Sequence, residues 1–385
     1  MKISRIFIAL LIALPISVAW AGGKEDAEKC AEFSVTNTRG LVRSDAENPA
    51  ATFFAPQAVA YCTRAIESGR LAPNILANTF VLRGLWLRQS NIERAVADFS
   101  AALEIDPRLA QAYSFRGLAW LESGDLKRAI ADFDAVLQIS PEDVAAFSLR
   151  GFALQQTGDL DHAIEDFNSM IRLAPQRAEA YSLRGAAWSE KGEIDHAIRD
   201  FDSAISLNPQ FAYAYFNRGC AWDQKGDLDR AVVDYDAAIR LDPQFAAAHT
   251  NRGIIFGIKG DIDRAIGEFD AAIRIDPQFA DAYFNRGIAF EANHDFDRAI
   301  GDYDAAIRLN PRYSPAYYHR GTAWDKKGDL EQAIADYDAA IRLNPRFALA
   351  YFSRGTLWKR KGENVRAISD FDTAIRLSAN QAYPP

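Results

Sequence analysis

Residues 212–245 read AYAYFNRGCAWDQKGDLDRAVVDYDAAIRLDPQF. With Ala212 as position 1, Tyr215 is position 4, Arg218 is 7, Gly219 is 8 and Trp222 is 11; Gly226 is 15, Ala231 is 20, Tyr235 is 24, Ala238 is 27 and Pro243 is 32. Positions 4, 8 and 11 share one helical face, as do 20, 24 and 27. Gly226-Asp227 separates the two faces, as a helix–turn–helix requires. Pro243 closes the second helix, because the residue before proline avoids the helical region. The stretch is predicted to be one antiparallel helix pair.

The pattern recurs along the chain. Arg-Gly falls in register nine times, at Gly84, Gly117, Gly151, Gly185, Gly219, Gly253, Gly287, Gly321 and Gly355, with a step of 34 residues everywhere except the first, which is 33. A fixed period of that length marks an array of stacked units. The units start near residues 77, 110, 144, 178, 212, 246, 280, 314 and 348 and fill residues 77–381, leaving a tail at 382–385. Gly at position 8 and Ala at position 20 (Gly219 and Ala231 here) are expected where the two helices cross. Glycine inside a helix costs about 0.5–1 kcal/mol against alanine, so its recurrence needs a packing reason.

This spacing resembles the tetratricopeptide repeat family, on aromatic-4, Gly-8, aromatic-11, Gly-15, Ala-20, aromatic-24, Ala-27 and Pro-32 of residues 215–243. The resemblance implies an all-α, right-handed superhelical solenoid with a concave face lined by the first helix of each unit. Ala58–Ile66 (AVAYCTRAI) aligns with a second helix, with Cys62 in the aromatic place, so residues 54–76 are expected to form a capping helix and connection. Two departures stand out. Position 7, often Leu in the family, is Arg in all nine units, and the last unit has Asn364 at an otherwise apolar position and Ala379 in place of Pro.

The start lies outside the array. Lys2 and Arg5 precede the apolar run Ile6–Trp20, followed by Ala21 and Gly22-Gly23, which reads as a signal peptide (1–21) cleaved after Ala21. The run is short for a membrane span. Residues 22–53 form an N-terminal extension. The expected address is the periplasm or the outside of the cell. Such a compartment permits a disulfide. Of Cys30, Cys62 and Cys220, the first two lie before the regular array and are expected to pair. Cys220 then reads as a small buried hydrophobe.

The formal net charge is −8, and removing residues 1–21 takes away only two basic residues, making it more acidic. This balance disfavours nucleic acid and anionic lipid as partners. Lys359-Arg360-Lys361 reads as a solvated helix end. His162, His196, His249, His294 and His319 are spread one per unit, and no HExxH, CxxC, GxSxG or P-loop pattern occurs. No metal, no cofactor and no catalytic set is expected. The recurrent Asp-aromatic-Asp (Asp234 and Asp236, for example) places carboxylates two apart on a helix, where they do not face each other. Arg at position 7 and Asp at position 23, such as Arg218 with Asp234, are expected to form ion pairs along the array.

Partner binding is expected on the first helices. Position 5 runs Val81, Ser114, Ser148, Ser182, Phe216, Thr250, Phe284, Tyr318, Phe352, and position 6 runs Leu82, Phe115, Leu149, Leu183, Asn217, Asn251, Asn285, His319, Ser353. Both columns change character between the fourth and fifth units. Phe216, Phe284, Tyr318 and Phe352, with Asn217, Asn251 and Asn285, either line a peptide groove or pack against the neighbouring unit. Positions 2 and 5 hold no Lys and position 9 no Asn, which argues against the carboxylate clamp of some relatives. The expected role is a non-catalytic scaffold that binds protein or peptide in an envelope or secretory complex. Carbohydrate binding and self-association through the last unit are the alternatives. A glycosyltransferase, which the resemblance also allows, would need a catalytic domain that residues 22–53 are too few to form.

Overall fold

The computed structural model describes residues 26–27, 29–30 and 49–382, with side chains from residue 56 to 378 in the array. The signal-peptide reading and most of the extension lie outside these residues. Between Pro49 and Ala382 the chain forms nineteen helices and, among the described residues, no strand. It divides into two compact units, Met1–Pro209 and Gln210–Pro385.

The first unit holds α1 (Pro49–Glu67), α2 (Pro73–Leu87), α3 (Ile92–Ile105), α4 (Ala110–Ser123), α5 (Leu126–Ile139), α6 (Val144–Thr157), α7 (Leu160–Leu173), α8 (Ala178–Glu190) and α9 (Ile194–Leu207). The second holds α10 (Ala212–Gln224), α11 (Leu228–Leu241), α12 (Ala246–Ile258), α13 (Ile262–Ile275), α14 (Ala280–Ala292), α15 (Phe296–Leu309), α16 (Ser314–Lys327), α17 (Leu330–Leu343), α18 (Ala348–Arg360) and α19 (Asn364–Ala382). Each pair packs on itself and, within its unit, on the next pair. This is an all-α solenoid. No helix among the described residues is long and apolar enough to cross a membrane.

The capping helix α1 begins at Pro49, inside the stretch assigned above to the extension. Proline suits a first helical position, where its missing N–H has no intrahelical partner anyway. At the other end α19 runs on to Ala382. With Ala379 in place of proline, nothing stops the helix where the earlier repeats stop.

Position 15 explains the turn. Gly124, Gly158, Gly192, Gly226, Gly260, Gly328 and Gly362 are all left-handed, with φ between 80° and 88°. The seventh repeat puts His294 there, at φ 59°. Repeat 1 lacks the residue altogether, which is why the first step is 33. The next residue then caps the second helix: Asp125, Asp159, Asp227, Asp261, Asp295 and Asp329 each accept an N–H three residues on.

Glycine at position 8 makes room for the ring at position 24. A Cβ on Gly219 would lie 2.7 Å from Tyr235 Cε1 and 3.3 Å from the Ala231 carbonyl oxygen. The same clash recurs from Gly84 against Phe99 to Gly355 against Phe371. The ring, more than the alanine, therefore demands the glycine.

Candidate functional site

The position-7 arginines sit on the first helices with their guanidinium groups turned to the second. Arg218 donates from Nε and Nη2 to the two oxygens of Asp234, at 2.8 and 2.6 Å. Arg83, Arg116, Arg150, Arg184, Arg286, Arg320 and Arg354 make the same fork to Asp98, Asp132, Asp166, Asp200, Asp302, Asp336 and Asp370. The planar guanidinium matches a carboxylate in this way and lysine cannot. The remaining nitrogen, Nη1, reaches back one repeat. In the first unit it meets Thr63, Ser100, Asp134 and Asn168. In the second unit it meets Asp236, Asp270, Asp304 and Asp338 from Arg252, Arg286, Arg320 and Arg354. The Asp-aromatic-Asp motif is thus divided: the first carboxylate binds its own repeat's arginine, the second the following repeat's. Outside the sixth repeat, where position 4 is His249, each guanidinium also lies over the position-4 ring, as Arg218 over Tyr215 at 5.7 Å. Hydrogen bonds donated to Asp302, with further help from Asp270, hold the Arg286 guanidinium firmly charged.

The position-5 rings are held between other rings. Phe216 lies 4.7 Å from Phe245 and 5.8 Å from Tyr235. Phe284 lies 4.8 Å from Tyr313 and 6.0 Å from Tyr303, and Tyr318 lies 5.0 Å from Phe347 and 5.7 Å from Tyr337. One neighbour is the ring of position 24. The other is at position 34, just before the next first helix. Positions 5 and 34 are thus aromatic together in these repeats, whereas the first unit pairs serine with Asp143 and Arg177. Phe216, Phe284 and Tyr318 are half-buried packing residues. Phe352 lies 5.5 Å from the position-24 ring of Phe371 but has Gln381 at position 34, and it is 56% exposed.

The amides divide as well. Asn251 Nδ2 donates to Cys220 Sγ and Tyr235 Oη, each at 3.4 Å. Asn285 donates to the Asp281 carbonyl of its own helix at 2.8 Å. Asn217 is half-buried. The thiol of Cys220 is pushed up by burial, which keeps it protonated. Cys30 and Cys62 are joined by a disulfide, both fully buried beside Leu82.

Position 12 carries polar groups that sequence reasoning passed over. Glu291 accepts from Tyr303 Oη at 2.7 Å and lies 3.2 Å from His319 Nδ1. Asp325 pairs with Arg360. Asp223 is half-buried with no cation partner among the described residues, and desolvation pushes its carboxyl up. Three of the five repeats in the second unit thus place a carboxylate on the first-helix face. The first unit has Leu121, Gln155 and Ser189 there. The signal was the column itself, which is acidic only after residue 210. Among the described residues no group of three or more metal-ligating side chains is gathered.

Profiles of the tetratricopeptide repeat match residues 87–144, 253–314, 284–345 and 318–382, residues 212–245, and residues 121–187. None of the curated proteins compared matches the chain. Among solved structures, a tetratricopeptide repeat protein from Parabacteroides merdae ATCC 43184 superposes with a TM-score of 0.55 at 17% identity, over 64% of this chain and 98% of its own. The Cut9–Hcn1 hetero-tetramer of the APC/C gives 0.54 at 16% identity, over 92% and 72%. MamA is 29% identical over 43% of this chain and 96% of its own, with a TM-score of 0.40. The matched profiles cover more than half of the sequence and the two broader superpositions share its solenoid of helix pairs: the chain belongs to the tetratricopeptide repeat family, whose arrays serve as protein-interaction scaffolds.

Proposed function

We propose that residues 210–382 hold an extended protein segment along their first-helix face, and that the chain is a scaffold of an envelope or secretory complex. The observation that carries the groove reading is the half-buried carboxylate of Asp223, which has no cation partner among the described residues and stands in one column with Glu291 and Asp325. A buried carboxylate without a partner costs free energy, which a donor from a ligand would recover. Asn217 lies half-buried on the same helix, and an extended peptide backbone presents both donors and acceptors. The rings of Phe216, Phe284 and Tyr318 have their neighbours already. They give the groove rigid walls and little free surface for stacking a sugar. The exported address rests on the apolar segment Ile6–Trp20 and on the Cys30–Cys62 disulfide, a bond that persists in oxidising compartments.

The test is a peptide array and a glycan array, each probed with the chain lacking residues 1–21 and with its Asp223→Asn/Glu291→Gln variant. The reading expects peptide binding that the variant loses at least tenfold with unchanged helicity. Glycan binding alone, or peptide binding indifferent to the variant, would sink it.

A further inference from the structure

Each repeat of the second unit presents a face to the repeat that follows. Position 21 is the centre of it. Ile300 packs in one cluster with Ala323 and Trp324 of the next first helix, and Ile334 with Leu357 and Trp358. Both isoleucines are buried. The Arg of the next helix then reaches the position-25 aspartate, as Arg320 reaches Asp304 and Arg354 reaches Asp338, both at 2.5 Å. The incoming face is a single helical stripe: small Ala at position 3, Arg at 7 and an apolar residue at 10, as in Ala316, Arg320 and Ala323.

On the ninth repeat this receiving face is uncovered among the described residues. Ile368, at position 21, is 59% exposed, and Ile375, at position 28, is 68% exposed. Asp372, at position 25, keeps the carboxylate of a rung but has no cation partner among the described residues. One position has changed. Asp229, Asp297 and Glu331, at position 18, each take a lysine from the following repeat. The ninth repeat has Val365 there, and it is 83% exposed.

We propose that this end of the solenoid docks an amphipathic helix of a partner protein. The partner's arginine completes a rung with Asp372, its small and apolar side chains cover Ile368 and Ile375, and an apolar residue takes the place of the usual lysine over Val365. Charge complementarity selects the arginine: the position-25 aspartates of the four earlier repeats of the unit, Asp236, Asp270, Asp304 and Asp338, each accept from the Nη1 of an arginine on the following first helix. The valine argues against another repeat of this chain's own kind, since its first helices recurrently end in lysines that bond a carboxylate, as Lys191, Lys259, Lys327 and Lys361 do. This surface is separate from the groove of the proposed function.

A hydrocarbon-stapled helical peptide with Ala, Arg, Ala and Leu at positions 3, 7, 10 and 14 is titrated against the full chain by fluorescence anisotropy. The staple is needed because short isolated helices are marginal in water. Saturable binding is expected, weakened about tenfold or more by Arg→Gln in the peptide, by Asp372→Asn, and by Ile368→Glu with Ile375→Glu in the protein; these three residues lie on the surface, so the fold tolerates the changes. A second arm fuses the same helix after Pro385 through a flexible linker. The Arg version is expected to melt higher than the Gln version. Equal binding of the Gln peptide, insensitivity to Asp372→Asn, or no binding together with no Arg-dependent stabilisation in the fusion overturns the proposal. So does a concentration-dependent dimer of the chain alone that Ile375→Glu breaks, since the face would then belong to a second copy.

Discussion

His249 Nδ1 lies 2.8 Å from Glu268 Oε2, and Arg252 holds the other oxygen of the same carboxylate at 2.6 Å. The sixth repeat alone lacks an aromatic ring at position 4, and it alone has Glu in place of Asp at position 23. The two changes fit each other. Histidine leaves a polar nitrogen in the core, and one extra methylene lets the carboxylate reach both it and the arginine.

Glu268→Asp alone is expected to cost about 1–3 kcal/mol, the range for orphaning a buried polar group. Glu268→Asp with His249→Tyr should recover most of that loss, with a coupling within about 0.5–3 kcal/mol. Urea melts of the four species measure it. Burial works against the charge of Glu268, but hydrogen bonds from His249 and Arg252 outweigh it and hold the carboxyl below its ordinary value of 4.5. A depressed carboxylate contributes stability above its unfolded pKa and loses it as pH falls. The Glu268→Gln variant should therefore show a shallower acid limb below pH 4.5 than the parent.

Removing one side of a rung should cost more than removing both. Arg286→Leu leaves Asp302 and Asp270 without their cation, and breaking a buried pair on one side costs about 3–5 kcal/mol. Arg286→Leu with Asp302→Leu leaves no buried charge of its own repeat unpaired and should sit nearer the parent. Denaturant midpoints decide between them. A double variant as unstable as the single one would show that the rung stabilises through packing of the arginine stem.

Alkali should weaken the second unit through its buried phenols. Desolvation pushes Tyr337 up to about 12 from 10.0. Tyr235 and Tyr303 are raised in the same direction by burial first, and by their neighbours Cys220 and Glu291. A group whose folded pKa is raised contributes stability below its unfolded pKa and loses it as pH rises. For Tyr337 the window is therefore pH 10 to about 12, worth roughly 2–3 kcal/mol. Tyr337→Phe should flatten the stability profile there, and a profile unchanged by the substitution would contradict the assignment. The first unit, with Phe99, Phe133, Phe167 and Phe201 at this position, has no such phenol.

Three small-residue changes separate space from conformation. Gly219→Ala drives a methyl into the Tyr235 ring and should destabilise by about 1–3 kcal/mol. Gly267→Ala, where nothing lies within 4 Å, should stabilise by about 0.5–1 kcal/mol. His294→Gly relieves a left-handed backbone at φ 59° and should stabilise by about 1 kcal/mol. Thermal melts rank them as Gly219→Ala, parent, then the other two.

Helix pairs, their number and their turns were readable because each depends on residues close in the chain. A left-handed glycine, the capping aspartate after it and a terminating proline act within a few residues. The Arg–Asp rung was also readable, since position 7 and position 23 recur together and their charges are opposite. The division of Asp234 and Asp236 between two repeats was not. Residues two apart on a helix point in different directions, and only stacking brings a second arginine to the outer one.

The sequence by itself determined that this chain is an array of nine helix pairs with a cap, that Gly219 and its equivalents lie at a close approach, and that residues 210–382 differ from those before them. Only the tertiary structure decided what the differing residues do. Phe216, Phe284 and Tyr318 are taken up by rings at positions 24 and 34, while Glu291 comes to lie beside His319 of the next repeat. Periodicity places a side chain on a helix face. Whether that face meets another repeat or remains open depends on the shape and size of the residues stacked against it. That is how Ile300 is buried and Ile368, at the same position, is exposed.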